Sequence, residues 1–234
     1  MKKYVQQTQL ESYRKFGLRI HSCVAVLISD NVIDDSIAHS IVMRIKNKIP
    51  KELLCAIERI NFGLYKFGRR GIASKYIDGT IFVHIGPETT IEKTLQAITH
   101  ELSHALEFSF RQHLSDFKLK QEFISKRRRL FDLLENEYKD IKKFNNRNLD
   151  YDGELDTYLA NNIGLDKLER YTLKMFVSPY SATCYSEYIA EGFENYLLGD
   201  HKTLRSLSPV LYKKIEEMIE GKVKSASQRK NIVF

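Results

Sequence analysis

The chain is sparing with cysteine and proline, and it has no long apolar run, no internal repeat and no low-complexity tract. Its three cysteines, Cys23, Cys55 and Cys184, are odd in number and far apart. That usage argues against a disulfide framework and for a reducing compartment. No pair of them has the spacing of a cysteine-type zinc site. With four prolines in 234 residues, no linker announces a domain boundary. No stretch approaches the ~18 apolar residues that a membrane span needs. The opening Met1-Lys2-Lys3-Tyr4-Val5-Gln6-Gln7 starts basic but continues polar, where an export signal carries an apolar core. The expected location is the cytoplasm, or outside the cell by a non-classical route of delivery.

A block of one charge is also missing. The 37 basic and 30 acidic residues are intermixed, and the net charge of +7 is spread along the chain. Only Lys126-Arg127-Arg128-Arg129 is dense, and it falls within an amphipathic helical pattern. The reading is a solvated helix face rather than a nucleic-acid site. At 234 residues and 43% hydrophobic content, the chain is long enough for one well-buried domain, expected to be a monomer.

The order of elements is legible from periodicity. Ile37, Ile41, Ile45 and Ile49, ahead of Pro50, predict a helix over Asp34 to Ile49. Residues 57–64 and 71–85 carry strand signals, and Asp78-Gly79 predicts a tight turn joining Gly71–Tyr76 to Thr80–Ile85. Tyr13 to Ile28 reads equally as helix or strand. Thr89 with Glu92 forms a capping box before Ile91, Leu95, Ile98, Leu102 and Ala105, which predict a helix of several turns. Phe117, Ile124, Phe131 and Tyr138, with Leu134 and Ile141, predict a long charged helix from Ser115 to about Phe144. A loop-like stretch containing Gly153 and Gly164 follows. Further helices are expected over 185–198, stopped at Gly199-Asp200, and from Ser208-Pro209 to Gly221, before a polar tail of about 222–234 that reads as mobile.

The chemistry concentrates in His100-Glu101-Leu102-Ser103-His104. On a helix, 3.6 residues per turn place the two imidazoles one above the other, where they can share one ion. Zinc takes nitrogen and oxygen donors, and a site with three protein ligands and one open position activates water near neutral pH. A third ligand is therefore required. Downstream, Glu187 and Glu191 fall on one face of a second helix, with Tyr188, Ile189 and Phe193 available for the core. Two carboxylates at that spacing repel each other unless a cation or a donor compensates, so the alternatives are a metal site and a solvated acidic stripe that includes Glu194.

His100-Glu101-Leu102-Ser103-His104-Ala105, followed by Tyr180, then Glu187 seven residues on and Glu191 four after that, resembles the anthrax lethal factor type of metallopeptidase. That family includes the lethal factor catalytic domain and the secreted Pro-Pro endopeptidases. The likeness spans roughly residues 35–220 and is specific in the two motifs. It implies that His100, His104 and Glu187 bind one zinc ion and that Glu101 is the general base on the zinc-activated water. It also implies that Tyr180 steadies the oxyanion and that Glu191 hydrogen-bonds a ligating histidine. Two features depart from the family: Ser103 stands where glycine is usual before the second histidine, and a helical insertion lies at about 115–144.

The expected fold is a single α+β zincin-like domain over 1–234, with a core of about 35–220. A small sheet packs on the motif helix, and a mainly helical C-terminal half brings Glu187 from the far side of a cleft. The expected function is zinc-dependent hydrolysis of a protein or peptide substrate, as in a toxin or effector, with the substrate lying along an edge strand near Thr80–Ile85. The alternatives are a catalytically degenerate zincin-like binding module and a basic nucleic-acid-binding protein. His84, His113 and His201 are further candidates to line the cleft, with surface or satisfied core positions as their ordinary reading.

Overall fold

The computed structural model describes residues 13–14, 18–29, 33–67, 73–87, 89–144, 149 and 152–225. Residues 226–234, which make up most of the expected mobile tail, lie outside this set, as do 145–148, the expected end of the long helix. The architecture is α+β, helix-rich with a small mixed sheet. Its contacts group into two compact units, 1–106 and 107–234.

In the first unit, the strands are β1 (Tyr13–Arg14), β2 (Arg19–Ile20), β3 (Val24–Ser29), β4 (Arg59–Gly63), β5 (Ser74–Ile77) and β6 (Thr80–His84). They form a six-stranded sheet ordered β1-β3-β4-β6-β5, with β2 also on β3. The central β3, β4 and β6 run parallel, while β1, β2 and β5 pair antiparallel. In the segment Tyr13 to Ile28, which reads as helix or strand, the described regular elements are strands. In β3 the alternation is plain: Val24, Val26 and Ile28 are buried and the residues between them are not. Between β3 and β4 run α1 (Asp35–Lys48) and the single turn α2 (Lys51–Leu54). Ala38, Ile41, Val42 and Ile45 form the buried stripe of α1, which stops before Pro50 as expected.

The β5–β6 hairpin forms where Asp78-Gly79 predicts it. Both residues have positive φ, 43° and 77°, the conformation a two-residue turn between twisted strands requires. The sheet order corrects one expectation. Strand β6 is flanked by β4 and β5, so Thr80–His84 is interior and the edge on that side of the sheet is β5.

Helix α3 (Ile91–Ser109) follows β6 and buries Leu95, Ile98, Leu102, Ala105 and Leu106. Its capping differs from the expected box. Thr90 Oγ1 accepts the Lys93 N–H, whereas Thr89 Oγ1 accepts the Gly86 N–H and Glu92 pairs with Arg44. A hydroxyl side chain one residue nearer the first turn reaches the orphan N–H, which releases Glu92 for the surface ion pair.

The cysteine reading is corrected too. Cys23 and Cys55 form a disulfide although they are 32 residues apart. The start of β3 and the end of α2 bring their Cα atoms to 5.6 Å, a proximity created by the fold rather than by sequence spacing.

The second unit contains α4 (Arg111–Leu114), α5 (Phe117–Glu137), α6 (Gly153–Thr157), α7 (Leu165–Thr172), α8 (Tyr185–Leu198), α9 (His201–Leu207) and α10 (Pro209–Ile219). Short 3-10 turns cover Lys139–Lys143 and Tyr180–Ala182, and a π-helical stretch covers Tyr158–Gly164. The region read as loop around Gly153 and Gly164 is therefore mostly helical. Asp152 caps it by accepting the Glu154 and Leu155 N–H groups, and Leu155, Leu159, Ile163 and Leu168 are buried along it. Their uneven spacing follows the π-helical turns, which is why no 3.6-residue period announces them.

Helix α5 is shorter than expected, and the seven-residue series marks its buried face only in part. Phe131 is buried with Leu119, Phe123, Arg127, Leu130 and Leu134, whereas Phe117 is 73% exposed. The basic run is divided accordingly. Arg128 and Arg129 are exposed, Lys126 is largely covered, and Arg127 is only 1% exposed. The expected solvated face is thus limited to two of the four cations.

Lys126 donates to Tyr188 Oη at 2.8 Å and to Ser208 Oγ at 2.6 Å, and its ammonium sits 4.7 Å from the Tyr188 ring centroid. Glu122 accepts from Tyr188 Oη and from the Val210 and Leu211 N–H groups, so a side chain of α5 caps α10. Burial pulls the Lys126 ammonium from its ordinary 10.5 down to about 8, with Glu122 opposing. Between those two values the unfolded chain holds a proton that the folded chain has lost. Stability from this group therefore rises as pH increases through that window, and it is lost again as pH falls through about 8. The stability of the native chain relative to Lys126→Met is expected to rise between about pH 8 and pH 10 in urea titrations. A flat difference would count against the shift.

Candidate functional site

The first group of candidate residues lies on α3. One helical turn separates His100 from His104, and their ring centroids are 5.1 Å apart with the planes nearly perpendicular. Two imidazoles in this relation can turn a nitrogen each toward one ion. Both are partly exposed. Ser103, the departure from glycine, is fully buried, and its hydroxyl donates back to the His100 carbonyl at 2.6 Å. The extra side chain is therefore absorbed by the helix itself.

Glu101 is only 8% exposed. Its Oε1 accepts from Ser74 Oγ at 3.0 Å, and its Oε2 accepts the Tyr76 N–H at 2.6 Å. Both donors belong to β5, the edge of the sheet. Ser74 and Tyr76 do not stand out in the sequence. The Asp78-Gly79 turn fixes the hairpin register, and residues two apart in a strand share an edge. Which helix residue faces that edge is not written locally.

The second group lies in the second unit. Tyr180 opens the 3-10 turn, and its carbonyl accepts from both the N–H and the hydroxyl of Thr183. Cys184 begins α8, its sulfur accepting the Glu187 N–H at 3.5 Å. Burial raises the Cys184 thiol to about 11, so it is protonated at neutral pH. Glu187 and Glu191 fall one turn apart on α8, while Tyr188, Ile189 and Phe193 point into the core, as the pattern predicts. Gly192 lets α10 approach, since a Cβ there would meet Leu211 at 2.4 Å. Ser186 and Tyr185 anchor the first turn of α8 to Glu107 and to the Leu114 carbonyl.

This segment is also held by the buried Arg127. It donates to the Leu149 carbonyl at 2.9 Å, to the Thr183 carbonyl at 3.0 Å and to the Asp156 carboxylate. The carbonyl of Thr183 lies between Tyr180 and Glu187 in the chain, so a cation from the basic run fixes the approach to α8.

His113 and His201 are engaged within the second unit, whereas His84 Nδ1 is buried with no hydrogen-bond partner among the described residues. His113 Nε2 lies 3.0 Å from the Lys214 carbonyl, and burial lowers its pKa. His201 stacks on Tyr196 with centroids 4.5 Å apart. His84 pairs with Gly63 in the sheet and borders a cavity of about 320 Å³ with Lys93 and Thr94. A larger cavity of about 910 Å³ opens where α1 and α3 begin, lined by Asp34, Ser36, Ile37, Gly86, Thr90 and Ile91 among others. None of the candidate metal or catalytic residues lines it.

Among the described residues, no helix is long and apolar enough to cross a membrane. The chain matches no known protein family, no curated protein and no solved structure.

Proposed function

We propose that this chain is a zinc-dependent endopeptidase with a zincin-like fold, of the type the sequence resembles. The observation that carries this reading is the imidazole pair on α3: His100 and His104 stand one turn apart, with 5.1 Å between ring centroids, next to the buried Glu101. Two imidazole nitrogens with a carboxylate oxygen are a donor set that suits zinc, and the family resemblance supplies Glu187 as that third ligand, with a position left open. The resemblance also assigns Glu191 as the carboxylate that orients a ligating histidine.

A zinc ion bound there would polarise a scissile carbonyl and bring water into its nucleophilic form near neutral pH. The protein's own groups do the rest. Glu101 takes the proton of the attacking water and returns it to the leaving amine. The Tyr180 hydroxyl donates a hydrogen bond to the oxygen that gains charge as the carbonyl becomes tetrahedral. The substrate backbone lies along the open edge of β5, the strand exposed at the end of the sheet, in place of the Thr80–Ile85 segment.

A second reading draws on the hydrogen bonds of Glu101. A carboxylate engaged by Ser74 and Tyr76 can pin α3 to the sheet, and the protein would then be a zincin-like binding module without turnover. One experiment separates the two. Incubating the purified chain with a diverse peptide library, with and without chelator, is expected to give chelator-sensitive cleavage and about one zinc per chain. Cleavage that survives complete metal removal, or a chain that never takes up metal, would overturn the proposal.

A further inference from the structure

We infer that Ser74 and the main-chain N–H of Tyr76 are positioning groups for Glu101, a role that rests on the peptidase reading above. The carboxylate is gripped at both oxygens, Oε1 by Ser74 Oγ at 3.0 Å and Oε2 by the Tyr76 N–H at 2.6 Å. A single bond would leave the group free to rotate about its last torsion. Two bonds, one to each oxygen, fix its plane. Hydrogen bonds to an ionised acceptor are the short, strong kind, and each oxygen retains a lone pair for the proton of a substrate water.

The donors come from one short strand whose position is independently fixed. Strand β5 pairs antiparallel with β6, with Ser74 opposite Val83 and Tyr76 opposite Ile81. The Ala73 carbonyl accepts the His84 N–H, so residues 73, 75 and 77 turn their main-chain groups toward β6, and 74 and 76 turn theirs to the open edge. The Tyr76 N–H is therefore one of the groups an incoming peptide backbone would otherwise use. Its engagement by Glu101 places the base in register with the edge on which the substrate lies. It also predicts that the substrate pairs with β5 without that donor. Ser74 is buried, and its hydroxyl has a second acceptor in the Ala97 carbonyl at 3.4 Å, one turn before Glu101 on α3. The serine thus bridges strand and helix at the base.

A purely structural pin and a positioning contact predict different kinetics. In the zinc-loaded full-length chain, Ser74→Ala is expected to lower kcat about tenfold, with KM and zinc content unchanged. Ser74→Thr, which keeps the hydroxyl, is expected to recover most of the loss. As a readout that does not depend on turnover, the Tyr76 amide should exchange with solvent at least about tenfold faster in Glu101→Ala than in the native chain. An unchanged kcat in Ser74→Ala would overturn the inference. So would a loss confined to KM or zinc content, or a Tyr76 amide that exchanges equally fast in both chains. A native chain that binds zinc but cleaves nothing is a different failure. It sinks the peptidase reading, and with it the catalytic meaning of the contact, even if the amide is protected.

Discussion

Glu101→Gln is expected to fold and take up zinc as the native chain does, while hydrolysing peptides about a hundredfold to ten-thousandfold more slowly. The amide of glutamine cannot accept a proton at neutral pH, so the proposed general base is removed with almost no change in volume. The hydrogen bonds explain why the fold should survive. The glutamine oxygen can still accept the Tyr76 N–H, and its amide nitrogen can donate to Ser74 Oγ. The serine can then turn its own proton to the Ala97 carbonyl, already 3.4 Å away. Glu101→Ala has no such recourse and leaves both strand donors facing a void, so it is the poorer test. Zinc stoichiometry, a melting curve and single-turnover cleavage decide the matter together. A Glu101→Gln chain that cleaves at the native rate would exclude Glu101 as the base, and a chain that loses its fold or its metal would favour the pinning role.

Arg127→Ala is expected to lose about 3 kcal/mol of stability at neutral pH. The side chain is 1% exposed, and its removal strips the donor from the Leu149 and Thr183 carbonyls and the counter-charge from Asp156. The Asp156 side chain is 25% exposed, and water reaching it holds the figure to the lower end of the range for broken buried pairs. Burial raises the Asp156 carboxyl above its ordinary value, and Arg127 opposes that rise. A carboxyl whose folded pKa is raised favours the folded state below its unfolded pKa, and that advantage is lost as pH rises through the folded pKa. Without Arg127 the folded pKa climbs further. The deficit of Arg127→Ala should therefore be largest near pH 7 and shrink toward pH 4. Urea unfolding at the two pH values measures it. A variant within about 1 kcal/mol of the native chain at pH 7 would show that the pair contributes little net stability.

How far local sequence reached can be followed residue by residue. Ile41 and Ile45 mark the buried side of α1, and Leu95, Ile98 and Leu102 that of α3, because burial on one face imposes a 3.6-residue period. Asp78-Gly79 marks its turn because both residues must take positive φ. Where the pattern fails, an interaction from elsewhere in the chain intervenes. Phe117, Ile124 and Phe131 recur every seven residues, but Phe117 is exposed, and the inner face of α5 includes a charged residue that periodicity counts as outer. Arg127 can be buried only because Asp156 and two carbonyls meet it. The helices across 153–172 escape notice because π-helical turns break the period.

The sequence by itself determined the His100-Glu101-x-x-His104 helix, the Glu187–Glu191 pair on a second helix and the hairpin before them. Each follows from neighbours within a few residues, through helical repeat or turn stereochemistry. Only the tertiary structure decided that β5 and not β6 is the edge, that Cys23 meets Cys55, that Arg127 is internal, and that Glu101 is held by Ser74 and Tyr76. The β4–β6 pairing, the disulfide and the partners of the buried charges join residues 21 or more positions apart, and no local period encodes such a choice.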